Sequence, residues 1–119
     1  MRHHVNKRTL NRDRRQRTAL LRSLARSLVL KEGITTTVAK AKELRPFIER
    51  LVTISKKNSV ASRRDVSTRL GGAPDAVKKL HDTLAKRFET RAGGYTRIVK
   101  LGRIGKRVGE SARIEFVQK

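Results

Sequence analysis

Cysteine and tryptophan are absent from this chain, tyrosine occurs once and phenylalanine three times. Without cysteine there are no disulfides, no thiolate metal sites and no thiol nucleophile. With so few rings, the interior has to be filled by Leu, Val, Ile and Ala. Histidine is nearly as scarce. His3 and His4 are adjacent and point apart in an extended segment, and His81 stands alone beside Asp82, where a surface position is expected. Neither a metal site nor an acid–base pair is expected from such a set. No nucleophile sits with a base, and no paired carboxylates form a recognisable motif, so no enzyme activity, small-molecule substrate or cofactor is expected. No apolar run approaches the ~20 residues of a membrane span. The basic N-terminus has no apolar segment behind it, so a secretory leader is not expected and a cytoplasmic setting is.

Acidic residues are the most telling shortage. The 119 residues carry 31 Lys+Arg against 10 Asp+Glu, a formal net charge of +21. A compact body with that excess repels itself and calls for a polyanion. Nucleic acid is the partner class this favours, because phosphate binding releases condensed counterions.

The hydrophobic pattern divides the chain into a basic extended arm, 1–13, and a single domain, 14–119. Leu20, Leu21, Leu24, Ala25, Leu28 and Val29 recur at helical spacing and predict a helix over 14–32, with Gly33 as its terminator. The β-branched run Ile34–Val38 reads as a strand. A second helix is expected over 38–57, kinked or interrupted near Glu43–Arg45 by Pro46. A third, over 59–70, is capped by Asn58 or Ser59 and ended by Gly71-Gly72. A fourth starts at Pro74 and carries a stripe of Val77, Leu80, Leu84 and Phe88. After Gly93-Gly94 the period becomes two. Tyr95–Leu101 and Ala112–Val117 are expected to pair as an antiparallel hairpin. The order helix, strand, three helices, two strands implies an α+β domain with its helices packed on a small sheet.

Several basic groups are candidates for RNA contact. Arg2, His3, Lys7, Arg8 and Arg12 lie in the arm. Arg15, Arg22 and Arg26 fall on the side of the first helix opposite its leucines, with no acid three or four residues on. Arg91 and Arg97 flank the Gly-Gly turn, and Tyr95 between them suits either a core position or a stacking contact. Arg103, Lys106 and Arg107 lie in the hairpin loop 102–111. Its GxxG lies between strands, not between the helices that a phosphate-clamping GxxG joins, and it lacks the pattern of a nucleotide-binding P-loop.

Three blocks resemble one family. They are Met1-Arg2-His3 with Leu10-Asn11-Arg12, then Ile34–Thr37 followed by Lys40-Ala41-Lys42-Glu43-Leu44-Arg45, and Arg91–Arg97. Their order and spacing over nearly the whole chain resemble the bacterial large-subunit ribosomal protein seventeen family. That resemblance implies a non-enzymatic structural protein of the large ribosomal subunit. It implies partnership with large-subunit ribosomal RNA and with neighbouring ribosomal proteins near the peptide exit region, and it adds Lys40 and Lys42 to the candidate RNA contacts. Two other classes share the basic charge. A nucleoid DNA bender would present an apolar wedge, and a basic ribonuclease would need its histidines placed as acid and base.

Overall fold

The computed structural model describes residues 10, 12–103, 105 and 109–118. Four helices cover one face of a three-stranded antiparallel sheet, in the expected order. The first helix, α1, is Arg14–Lys31. Asp13 caps it, its carboxylate accepting from the Gln16 backbone N–H at 2.8 Å. Ala25, Leu28 and Val29 are buried, and Leu21 and Leu24 pack against the core at its margin.

The end of α1 differs from expectation. Glu32, not Gly33, takes the left-handed conformation, with φ 64°, and its N–H returns to the Leu28 carbonyl at 2.7 Å. Glu32 is held there from three sides. Its carbonyl accepts from the Phe116 N–H at 3.0 Å, and its carboxylate is paired by Lys79 and Arg87. Gly33 instead opens β1, Gly33–Thr37, where the Arg113 guanidinium lies on the space a Cβ would fill.

Helix α2, Val38–Ser55, is capped by Thr37 and continues unbroken past Pro46, where a kink or interruption was expected. Pro46 and Lys42, four residues before it, are both exposed. The hydrogen bond that proline cannot donate is therefore lost on the side where water reaches the orphaned carbonyl. Ala41, Leu44, Ile48, Leu51, Val52 and Ser55 face inward. Helix α3, Val60–Leu70, begins with a reciprocal box in which the Ser59 and Ser62 side chains each accept from the other's backbone N–H, both at 3.0 Å. Gly71, at φ 72°, ends it.

The fourth helix, α4, spans 74–87. It joins α-helical Pro74–Lys79 and Ala85–Arg87 through a wide π turn at Leu80–Leu84. Val77, Leu80, Leu84 and Phe88 are buried as expected. His81 is a correction, being 1% exposed rather than on the surface. Four residues after Val77 and three before Leu84, it shares the helix's apolar side and faces α3. There the His81 Nδ1 lies 2.9 Å from the Val77 carbonyl, and Nε2 lies 3.2 Å from the Ser62 hydroxyl.

The hairpin strands are β2, Thr96–Gly102, and β3, Ser111–Phe116. They pair antiparallel from Thr96–Phe116 to Gly102–Ser111, with an irregularity between Lys100 and Gly102. β1 pairs the other edge of β3, from Gly33–Glu115 to Thr37–Ser111, so the sheet order is β1-β3-β2. Ala112, Ile114 and Phe116 point into the core, while Arg113 is exposed on the open face. The three described rings that build the core's end, Phe88, Tyr95 and Phe116, lie with centroids 5.2 and 6.2 Å apart around Phe88.

Candidate nucleic-acid interface

Three parts of this scaffold gather positive charge. The first is the N-terminal half of α1. Arg14, Arg15 and Arg22 line one shallow depression with Thr18 and Ala19. No acid stands in the first turn of α1, and the capping Asp13 is a single carboxylate against Arg14, Arg15 and Arg17 at the positive end of the helix dipole. The side chains of Arg15 and Arg26 make no hydrogen bond or ion pair with another described residue. Arg22 is different. Its Nε and Nη2 donate to the carbonyls of Arg69 and Thr68, at 3.1 and 3.3 Å, closing the C-terminal end of α3. The three arginines expected as one equivalent stripe thus divide into two unpaired groups and one that holds a helix end.

The second is the end of the sheet where Thr37, Gly102 and Ser111 meet. Arg103 leaves β2 there, and Lys40 stands in the first turn of α2. The Val38 N–H is tied to the Glu110 carbonyl at 3.1 Å, so the start of α2 and the hairpin loop form one surface. Lys106 and Arg107 of that loop lie outside the described residues, as do Arg2, His3, Lys7 and Arg8 of the arm. Arg12 is described, and its Nη1 donates to the Leu10 carbonyl at 2.8 Å.

The third is the open face of the sheet and the turn leading into it. Arg97 is half exposed and pairs with its cross-strand partner Glu115 at 3.5 Å. Arg91 braces its own turn, its Nε donating to the carbonyls of Gly93 and Gly94 at 3.0 and 3.2 Å. Of the two readings of Tyr95, the structure shows the core. It is 1% exposed, its ring lies against Phe88, and its hydroxyl bonds Thr53 and Lys56, each at 3.1 Å. No ring face is left for a base. Lys56 also donates to the Arg91 carbonyl, which ties the Gly-Gly turn to the end of α2.

The sequence pattern alone did not single out the groove between α1 and α2. Arg14, Arg17, Lys42, Arg50 and Arg69 line it. Arg14 and Arg17 stand three residues apart and Leu21 follows four later, so all three share the side of α1 that meets α2. That spacing was the available signal, but the larger basic arc on the opposite side drew attention away from it. Among the described residues, no group of His, Asp and Glu side chains is arranged to hold a metal ion. No helix of the described residues is long and apolar enough to cross a membrane.

Residues 20–117 match the model of a family described as ribosomal protein L17. This chain belongs to the ribosomal protein L17 family. Its relatives include a large ribosomal subunit protein bL17 from Hydrogenobaculum sp. (strain Y04AAS1), 53% identical and aligned over 99% of this chain and 100% of the relative. The protein of the same name from Anaplasma marginale is 48% identical over 99% and 89% of the two chains, and that from Sphingopyxis alaskensis 47% over 100% and 85%. The alignments with these L17 proteins span the stretches of chain that hold all three charged regions. The similarity also accords with a structural, non-enzymatic protein.

Proposed function

We propose that this chain is a structural component of the large ribosomal subunit and binds its ribosomal RNA through dispersed basic surfaces. The observation that carries this reading is similarity along the whole chain to proteins named for that subunit. The net charge of +21 supports it, since the arginines of α1 and the cations of the α1–α2 groove have too few acids nearby to be neutralised within the fold. In this reading the arm, 1–13, threads into RNA, the α1 arginines Arg15 and Arg26 meet phosphates, and the hairpin loop with Lys40 and Arg103 forms a second contact. Its setting is the cytoplasmic ribosome, with neighbouring ribosomal proteins near the peptide exit region.

The test is co-sedimentation of the full chain with large subunits across a salt series. Each neutralised phosphate contributes about −0.7 to −0.9 to the slope of log K against log[salt]. Association at low salt with a steep slope is expected. A slope near zero, or no association, overturns the proposal. In competition during subunit reconstitution, a chain lacking residues 2–9 is expected to lose to the full chain. Equal incorporation would remove the arm from the interface.

A further inference from the structure

The groove between α1 and α2 encloses about 590 Å³, within the ~300–1,000 Å³ of pockets that take compact organic ligands. Its lining joins apolar Leu21, Pro46, Phe47 and Leu51 to basic Arg14, Arg17, Lys42, Arg50 and Arg69. Phe47 is only partly buried, unlike Phe88 and Phe116, which are in the core. Among the basic residues, Arg69 is engaged by Asp65 at 2.8 Å. Arg14, Arg17, Lys42 and Arg50 make no side-chain hydrogen bond or ion pair with another described residue. The one carboxylate among the lining residues, Glu43, is buried and already engaged.

A solvated basic helix face needs no aromatic residue, and an apolar core margin needs no group of cations. A ligand that is flat and apolar in one part and anionic in another satisfies both at once. We infer that this groove holds one unstacked nucleotide of the bound RNA, its base against the ring of Phe47 and its flanking phosphates on Arg14, Arg17 and Arg50. The inference rests on the RNA-binding reading above and deepens it by giving one site a nucleotide conformation. Unpaired bases splayed from loops and bulges are the elements that proteins stack on aromatic rings, whereas paired bases have no face to offer. Charge complementarity fixes the orientation, with the base on the apolar residues and the backbone along the cations. An acidic segment of a neighbouring protein would match the cations but would gain nothing specific from the ring.

The absence of tryptophan makes the test direct. The F47W variant of the full chain carries a single tryptophan, and a stacked base quenches indole emission. The probes are an oligouridylate, an RNA hairpin duplex with the same number of phosphates, and polyglutamate, with binding followed separately by anisotropy. Oligouridylate is expected to quench F47W, and the duplex and polyglutamate to leave it nearly unchanged. F47L, with its fold checked by circular dichroism, is expected to weaken oligouridylate binding about tenfold while leaving duplex binding in place. Adding R17Q and R50Q to F47W is expected to abolish the quench at the same probe concentration. Oligouridylate that binds by anisotropy without quenching overturns this inference and leaves RNA binding standing. Equal quenching by duplex or by polyglutamate overturns it too, the latter pointing to a protein partner. Failure of oligouridylate alone to bind overturns this inference, and failure of both RNAs at low salt overturns the RNA-binding reading with it.

Discussion

Glu32 joins three parts of the molecule, and its removal is expected to be costly for a side chain that is 34% exposed. The carboxylate is paired with Lys79 at 3.3 Å and with Arg87, whose side chains are 24% and 18% exposed. Exposed pairs contribute ~0.2–1 kcal/mol, and breaking a fully buried pair costs ~3–5 kcal/mol. Two pairs between those limits, discounted for solvent reaching Glu32, put E32Q at about 2 kcal/mol of lost stability. For a domain of this size that is about 8 °C in melting temperature. The loss should depend on pH. The hydrogen bond from Arg87 holds the Glu32 carboxyl below the ordinary glutamate range, partial burial opposes this, and Lys79 adds to the lowering. A depressed carboxyl contributes its full stabilisation above the unfolded value of ~4.3 and loses it as pH falls through the folded value. The gap between the parent chain and E32Q should therefore be constant near neutrality and close in acid. Thermal melts from neutral to acid pH check both points. A loss under ~0.5 kcal/mol would mean that solvent already screens these pairs, and a gap that persists undiminished in acid would place the effect outside the ionised carboxylate. The backbone gives an independent check. With φ at 64°, E32G should exceed E32A in stability by about 1 kcal/mol.

Arg22 should separate from its neighbours, R22Q costing about 1 kcal/mol through the open end of α3 while R15Q leaves the melting temperature unchanged and weakens RNA binding alone. Equal effects in melts and in salt-dependent binding would refute that division. L28A removes a fully buried side chain of α1 and should cost ~2–5 kcal/mol by denaturant titration; a cost under ~0.5 kcal/mol would mean that α1 is turned the other way. S62A leaves the His81 imidazole without its hydroxyl partner and opens the α3 capping box, so a loss of ~1–3 kcal/mol is expected from chemical denaturation. Stability unchanged in S62A would show that neither contact contributes.

Elements whose formation is decided locally were legible in the sequence. The leucine spacing of α1, the β-branched run of β1, the Gly-Gly stop after α3 and the alternation in β3 each report an interaction made within a few residues. What was not legible depends on partners distant along the chain. Glu32 takes the left-handed position because Phe116, Lys79 and Arg87 hold it there, and no local rule would choose it over Gly33. His81, by contrast, stands four residues after Val77 and three before Leu84, on the apolar side of a plain helical wheel, and its polarity and its neighbour Asp82 outweighed that spacing in the reading. Pro46 was read by what it cannot donate, without knowing that the lost bond faces water. Charge showed the same division. A count of residues pointed to a polyanion partner, but only the packing of α1 on α3 separated Arg22 from Arg15, and only the packing of α1 on α2 opened the groove beside Phe47.

The sheet order β1-β3-β2 has a consequence for the chain as it is made. The central strand is the last of the described elements to be synthesised, and β1 and β2 never pair with each other. Until Ser111–Phe116 emerges, both earlier strands have bare edges, and Ile34 and Ile98 lack the cross-strand neighbour Ile114 that they share. The α1 helix is likewise without the Phe116 N–H that fastens its end. Helical segments can form as they appear, but sheet closure waits for long-range pairing, which is slow and leaves edges open to other chains. Nascent copies arrested before residue 111 should therefore be held open by topology, however complete their helices, and the last few residues convert a set of helices into a closed domain.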